Sequence, residues 1–276
     1  MKTYLHLTQV PLPEVVGLAR RAEELGFAGV SLAEHLAAPA EMTTPYPYGV
    51  APWQGVPEWG DPWVTAAAIT QATRRLRVLT SVYVLPLRPP LLVAKAVATA
   101  AVLSGGRIGC GVGAGWLREE FDLAGEAFGG RGARMDEAIE ILRLAWTGET
   151  VEFHGAHYDL APFTMRPAPP APVPILVGGA GPRALRRAAL LGDGWIAPAG
   201  PAAELAAAVA GLREARADAG RTGPFEVVAW SEGPGDLDAL ARAGADAVRV
   251  RPWALHPGLS RAAALERYAA GAGLSG

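Results

Sequence analysis

The residues that could do chemistry in this 276-residue chain are few and far apart. Glu34 and His35 follow an apolar run from Gly29 to Ala33, and an imidazole can titrate near neutral pH. A second feature is Gly109-Cys110-Gly111-Val112-Gly113-Ala114-Gly115-Trp116, where alternate positions lack a side chain. Either a ligand approaches that backbone closely or tight packing requires the glycines. The run is not a dinucleotide fingerprint, because the third glycine of GxGxxG falls on Ala114 or Trp116 in either frame. A third feature is Gly178-Gly179-Ala180-Gly181-Pro182, directly before a helical stretch carrying Arg183, Arg186 and Arg187. Backbone N–H groups and the positive end of a helix dipole there make a phosphate site. Arg186 and Arg187 are expected on the solvated face of that helix.

Other reactive residues carry less. Cys110 is the sole cysteine, so no internal disulfide and no cysteine-rich metal site is expected. His6, His35, His154, His157 and His256 form no HExxH pair, and no metal is expected. Lys95 lies inside a helix rather than at a strand end, which argues against Schiff-base chemistry. Arg249 and Arg251 alternate with Val248 and Val250, so both should face the barrel interior or its mouth. Arg251 sits where it could meet phosphate or an acidic cofactor tail, and an ion pair with Glu226 is expected for Arg249. His154 and His157 read as exposed turn residues.

The elements that position these groups alternate strand-like and helix-like along the chain, the signature of a parallel α/β fold. Strands are predicted over Tyr4 to Thr8, Gly29 to Ala33, Arg77 to Leu85, Ile108 to Val112, Pro174 to Val177, Gly194 to Ala197, Glu226 to Trp230 and Ala247 to Arg251. Helices are predicted from Pro13 to Gly26, from Asp61-Pro62 onward, and over Pro90 to Leu103, Arg131 to Trp146, Pro182 to Leu191, Ala202 to Ala219, Asp236 to Ala243 and Arg261 to Ala270. Several open with Pro at the first helical position and close on Gly. A short hairpin from Val151 to Leu160 stands outside this series. Eight strand–helix pairs predict one (β/α)8 TIM barrel spanning residues 1–276, with the hairpin inserted after the fourth helix and an extended loop after the second strand. Such a barrel places its active site at the C-terminal ends of the strands.

That loop, from Pro39 to Trp59, runs for about 25 residues after His35 without a period. It carries Tyr46, Tyr48, Trp53 and Trp59, and its aromatics favour a binding lid over disorder. Formal net charge is −2, with no basic run to meet a phosphate backbone, so no nucleic acid partner is expected. No apolar run reaches the roughly 20 residues that span a bilayer, and the N-terminus lacks a secretory pattern. A cytoplasmic protein acting on a small-molecule substrate is expected, with a homodimer as the oligomer in view.

The stretches TSVYVLPLRPPLLVAKAVATAAVLSGGRIGCGVGAGWLREEF and PILVGGAGPRALRRAALLGDGWIA resemble the bacterial luciferase-like monooxygenase superfamily, and within it the coenzyme F420-dependent oxidoreductases. The resemblance covers nearly the whole chain and is strongest over residues 76–197. It implies a cis peptide and bulge at Thr80-Ser81-Val82 supporting the cofactor ring. It implies that Gly111, Gly113 and Gly115 lie along the cofactor, and that Gly178, Gly179, Ala180 and Gly181 bind its phosphate. Glu34 and His35 then stand near the reactive ring, with His35 as proton donor or acceptor. Where the family's sugar dehydrogenases carry a catalytic glutamate after the glycine run, this chain has Trp116, which weakens the case for sugar oxidation. Trp116 either walls a substrate pocket together with Trp53 and Trp59 or packs beneath the lid. The implied activity is hydride transfer between F420 and a small organic substrate. The alternatives are an FMN-dependent monooxygenase using oxygen and a non-catalytic flavin- or deazaflavin-binding protein.

Overall fold

In a computed structural model that describes residues 1–49 and 57–276, β1 (Lys2–His6) leads to α1 (Leu12–Glu24), β2 (Gly29–Leu32) and α2 (Pro62–Ala72). The Asp61 side chain caps α2 by accepting from Trp63 and Val64 N–H. The third strand is not continuous as predicted: β3 (Arg77–Thr80) and β4 (Tyr83–Val84) are separated by Ser81-Val82, whose peptide bond is cis, and a 3-10 turn follows at Leu85–Leu87. The apolar pattern runs on through the break, so periodicity could not reveal it.

Next come α3 (Pro90–Ser104), β5 (Ile108–Gly113), α4 (Arg118–Ala124) and α5 (Arg131–Ala145). The hairpin of β6 (Thr150–His154) and β7 (Asp159–Thr164) stands outside the barrel as a separate antiparallel pair. The chain returns through β8 (Ile175–Gly178), α6 (Pro182–Leu191), β9 (Gly194–Ile196), α7 (Ala202–Asp218), β10 (Glu226–Trp230), α8 (Leu237–Arg242), β11 (Ala247–Val250), α9 (Pro252–Leu255) and α10 (Arg261–Gly271).

The sheet runs β3-β2-β1-β11-β10-β9-β8-β5, every pairing is parallel, and β3 also pairs with β5. That last pairing closes an eight-stranded barrel. Its walls separate two apolar regions. Outside, residues such as Val30, Val78, Ile108, Val177 and Val248 pack against the helices. Inside, Tyr4, Leu79, Leu176, Ile196, Val228 and Ala247 form a closed cluster with Val82 packed against it. Barrel interiors are filled in layers by alternate residues of each strand. Register therefore places Tyr4, Arg249 and Trp230 on the same face of neighbouring strands. The Lys2–Glu226 ion pair, 2.8 Å, lies at the N-terminal ends of β1 and β10.

Candidate active site at the barrel mouth

The uppermost interior positions of β1, β2 and β11 are polar. His6 is buried, with Nδ1 2.8 Å from the Ser31 hydroxyl and Nε2 bonded to the Thr8 hydroxyl. Burial, joined by the charges of Arg249 and Arg251, holds His6 well below the usual histidine range, so it is neutral at pH 7. Arg249 crosses the mouth: Nη1 donates to the Ser81 hydroxyl at 2.6 Å and Nη2 to the Ala197 carbonyl at 2.5 Å. The expected Arg249–Glu226 ion pair does not form. Register sets Arg249 beside Trp230, so Glu226 lies four residues nearer the start of β10, about 13 Å down the barrel, where it pairs with Lys2.

Glu34 and His35 leave β2 together but engage different partners. The Glu34 carboxylate is buried, accepts the Val84 N–H at 2.8 Å and pairs with Arg88. Burial pushes it up to about 7, against the opposing pull of Arg88 and the Val84 N–H. Its two oxygens thus brace β4 and the turn beyond it. His35 Nδ1 stands 3.1 Å from Glu120 Oε2, while Glu120 Oε1 accepts the Leu36 N–H. A carboxylate only accepts, so Nδ1 carries the hydrogen of that bond. Glu120 lies on α4, a seven-residue helix absent from the sequence prediction because its two turns are too short to show an apolar period. Its carboxylate is 98 % buried beside Phe121.

The lid covers this pair. Trp59 and Trp116 stand edge-on to the His35 ring at 5.1 and 5.9 Å, and Tyr46 stands edge-on to Trp116 at 5.3 Å. Trp116 thus packs between His35 and Tyr46 of the loop after β2. Glu119 anchors the lid by accepting from the Thr43 and Thr44 N–H groups at 2.7 and 2.9 Å. The described part of the lid contains no helix or strand, and Trp53 lies outside the described residues.

Close packing has direct support in the glycine run. A Cβ on Gly111 would stand 1.9 Å from the Thr80 carbonyl oxygen, and one on Gly113 would stand 2.6 Å from a Val82 methyl. A Cβ on Gly178 would meet the other Val82 methyl at 2.6 Å, and one on Gly115 would meet Val84 and Phe121. These glycines thus admit the Thr80 carbonyl and the Val82 side chain into the top of the barrel. The Thr80 hydroxyl ties the same point to the Gly111 carbonyl at 2.7 Å. Packing explains the run, and its product is the seating of Ser81-Val82 at the mouth.

The loop after β8 is different. Gly179 has φ +114°, a left-handed conformation that L side chains rarely adopt, and a Cβ on Gly181 would meet nothing within 4 Å. No side chain caps α6. The Tyr48 hydroxyl stands over this loop, 3.9 Å from where a Gly179 Cβ would sit, and Trp195 Nε1 donates to the Gly179 carbonyl at 2.8 Å. An open cradle before an uncapped helix fits a phosphate. Arg186 is exposed as expected. Arg187 is not on the solvated face: it pairs with Asp136 and donates to the Gly132 carbonyl at 2.9 Å, joining α6 to α5.

Sequence reasoning missed Glu120, His6, Arg88 and Arg249's true partners. Only His6 had a readable signal, since it alternates with Tyr4 on the inward face of β1. Among the described residues no group of His, Cys, Asp and Glu could hold a metal ion, and no helix is long and apolar enough to cross a membrane.

A closed parallel barrel with its polar groups gathered at the C-terminal strand ends defines an enzyme-type α/β barrel. The chain belongs to the luciferase-like monooxygenase family, whose sequence model matches residues 2–232. It is 41% identical over 215 residues to an uncharacterized protein of Mycobacterium tuberculosis, covering 77% of this chain and 74% of that one. It is 33% identical over 199 residues to an F420-dependent glucose-6-phosphate dehydrogenase of Amycolatopsis mediterranei, covering 70% of this chain and 55% of the relative. Among solved structures it is similar to the monooxygenase RslO1 from Streptomyces bottropensis, with a TM-score of 0.70 and 26% identity over 98% of this chain and 80% of that one.

Proposed function

We propose that this chain moves a hydride between bound coenzyme F420 and a small organic substrate, with His35 carrying a proton. The observation that supports it most is the buried Glu120 carboxylate fixing His35 Nδ1 between Trp59 and Trp116. A histidine oriented through one nitrogen by a buried carboxylate presents the other for proton transfer. The similarity to an F420-dependent dehydrogenase supports the cofactor.

The deazaflavin supplies the hydride chemistry when bound. The chain supplies the rest. Backbone groups of Gly178–Gly181 and the start of α6 would hold the cofactor phosphate, and Ser81-Val82 would support its ring. Gly111, Gly113 and Gly115 keep that support in place. The Glu34 carboxyl group holds β4 in place through Val84 and Arg88. Trp59, Trp116 and Tyr46 exclude water from His35, which sharpens electrostatic interactions there. Because Nδ1 is engaged, the proton moves on Nε2. Trp116 at the position of the sugar dehydrogenases' glutamate points to a less polar substrate than a sugar.

The similarity to RslO1 supports a second reading, an FMN-dependent monooxygenase. Oxygen separates the two. Reduced deazaflavin and reduced FMN are each mixed with the protein and a panel of small ketones, aldehydes and enones, with and without oxygen. The proposal expects substrate-dependent reoxidation of the deazaflavin that is unchanged by removing oxygen and lost in His35→Ala. Turnover only with FMN and only in oxygen would overturn it.

A further inference from the structure

The floor of the mouth contains buried positive charge with no negative partner. Arg249 is 7 % exposed, and its hydrogen bonds go to two neutral oxygens, those of Ser81 and Ala197. Its Nε is buried and has no partner. Arg251, at the end of the same strand, donates from Nη1 to the Gln9 side-chain oxygen at 3.0 Å, and its Nε is also buried without a partner. Among the described residues no carboxylate forms an ion pair with either guanidinium. The segment 50–56, VAPWQGV, has no acid in its sequence. Glu232, the acid that acts on Arg251 from a distance, accepts a hydrogen bond from Trp230 Nε1 at 2.8 Å.

Buried charges are ordinarily paired, because removing an ion from water is costly unless a counter-charge replaces the solvent. Arg107 shows how this chain satisfies an arginine whose role is structural. Its Nε, Nη1 and Nη2 all end on oxygens of Ser104, Thr73, Leu76 and Thr70. Arg88, Arg134 and Arg261 each keep an unmatched nitrogen too, but each pairs with a carboxylate, whereas Arg249 and Arg251 do not, and these two lie at the end of the barrel where ligands bind. Their neighbour His6 adds no charge, being held neutral, and the lid tyrosines Tyr46 and Tyr48 face Arg249.

We propose that Arg249 and Arg251 form the seat for an anionic oxygen group of the ligand, a carboxylate or an enolate-type oxygen, at the floor of the barrel mouth. The inference rests on the mouth being the ligand site, as in the proposed function, but not on the identity of the cofactor. The anion has two sources, an acidic substrate or the anionic ring of a reduced cofactor.

The apoprotein is titrated by calorimetry at low salt with benzoate and with uncharged benzamide. Benzoate is expected to bind at least about 10-fold more tightly, with Arg249→Gln and Arg251→Gln each removing most of that preference and Arg249→Lys keeping part of it. Arg251 bridges fewer elements than Arg249, so its variant remains informative if Arg249→Gln fails to fold. Equal affinities for the two probes, or a preference retained in the folded glutamine variant or variants, would overturn the proposal. The benzoate titration is then repeated with saturating cofactor. Benzoate that still binds assigns the seat to the substrate. Benzoate that is displaced, together with an Arg249-dependent preference for the reduced over the oxidised cofactor, assigns it to the ring. Failure of both FMN and F420 to bind would remove the cofactor reading while leaving the benzoate result to decide this one.

Discussion

Replacing Glu120 by Gln tests the link between burial and proton transfer. Glutamine has nearly the same shape, and its amide oxygen can still accept the Leu36 N–H that Glu120 Oε1 now accepts. Its NH2 group would then face His35 Nδ1 across the present 3.1 Å. Two donors cannot share one bond, so Nδ1 must become an acceptor and the ring hydrogen must move to Nε2. Exchanging a charge-assisted bond for a neutral one should cost about 1 kcal/mol of stability, too little to unfold the barrel. The catalytic cost should be larger. General acid–base catalysis contributes about 10²- to 10⁴-fold, or roughly 3–5 kcal/mol of barrier, and a histidine locked in the other tautomer loses most of that. Ring-nitrogen NMR of labelled histidine reads the tautomer, and single-turnover kinetics reads the rate. Glu120→Ala should cost more stability, about 1–3 kcal/mol, because it leaves buried donors unpaired. A Gln variant with the tautomer unchanged, or with a rate within about 3-fold of the parent, would refute the reasoning.

Three further outcomes follow from the same geometry. Gly111→Ala drives a Cβ to 1.9 Å from the Thr80 carbonyl oxygen, and overpacking against backbone should cost about 3 kcal/mol or more; an unchanged urea midpoint would contradict the packing account of the glycine run. Gly179→Val places a branched side chain at φ +114°, costing about 1–3 kcal/mol of strain, and should weaken cofactor binding by about 10-fold or more in the protein that still folds; full affinity in a calorimetric titration would remove that loop from the phosphate site. Glu34 is raised from 4.5 to about 7, so over that interval the folded protein retains a proton that the unfolded chain releases. Its contribution to stability is therefore complete below about 4.5 and lost as pH rises to about 7, and Glu34→Gln should flatten that part of the stability profile; an identical slope in the variant would show that Glu34 titrates normally.

Much of the barrel was legible because each βα unit carries its own punctuation. Pro62, Pro90 and Pro182 all stand at helix starts, and the strand between each pair of helices is a short apolar run. What failed depended on contacts between distant residues. Glu120 is 85 positions from His35, and three acids on a short helix look like solvated surface until the fold brings one of them against His35. The break at Ser81-Val82 was invisible to apolar periodicity; the family resemblance marked the place, and packing explains it only when Gly111, Gly113 and Gly178 are seen around it. The inward direction of Arg249 was readable from strand alternation, but its partner was not. Choosing Glu226 needed the register of β10 against β11, which pairs Arg249 with Trp230 instead. Arg187 failed likewise, because the groove between α5 and α6 that receives it is formed by residues 51 positions apart.

The central claim is that the mouth is shaped for a deazaflavin, with its phosphate in the Gly178–Gly181 loop and its ring on Ser81-Val82 beside His35. It is tested most directly by titrating the purified apoprotein with F420 and with FMN in parallel, following cofactor fluorescence. The account predicts saturable binding of F420 with a Kd at least about 10-fold below that for FMN, and loss of that affinity in Gly179→Val. Tighter binding of FMN, or no binding of either, would contradict it.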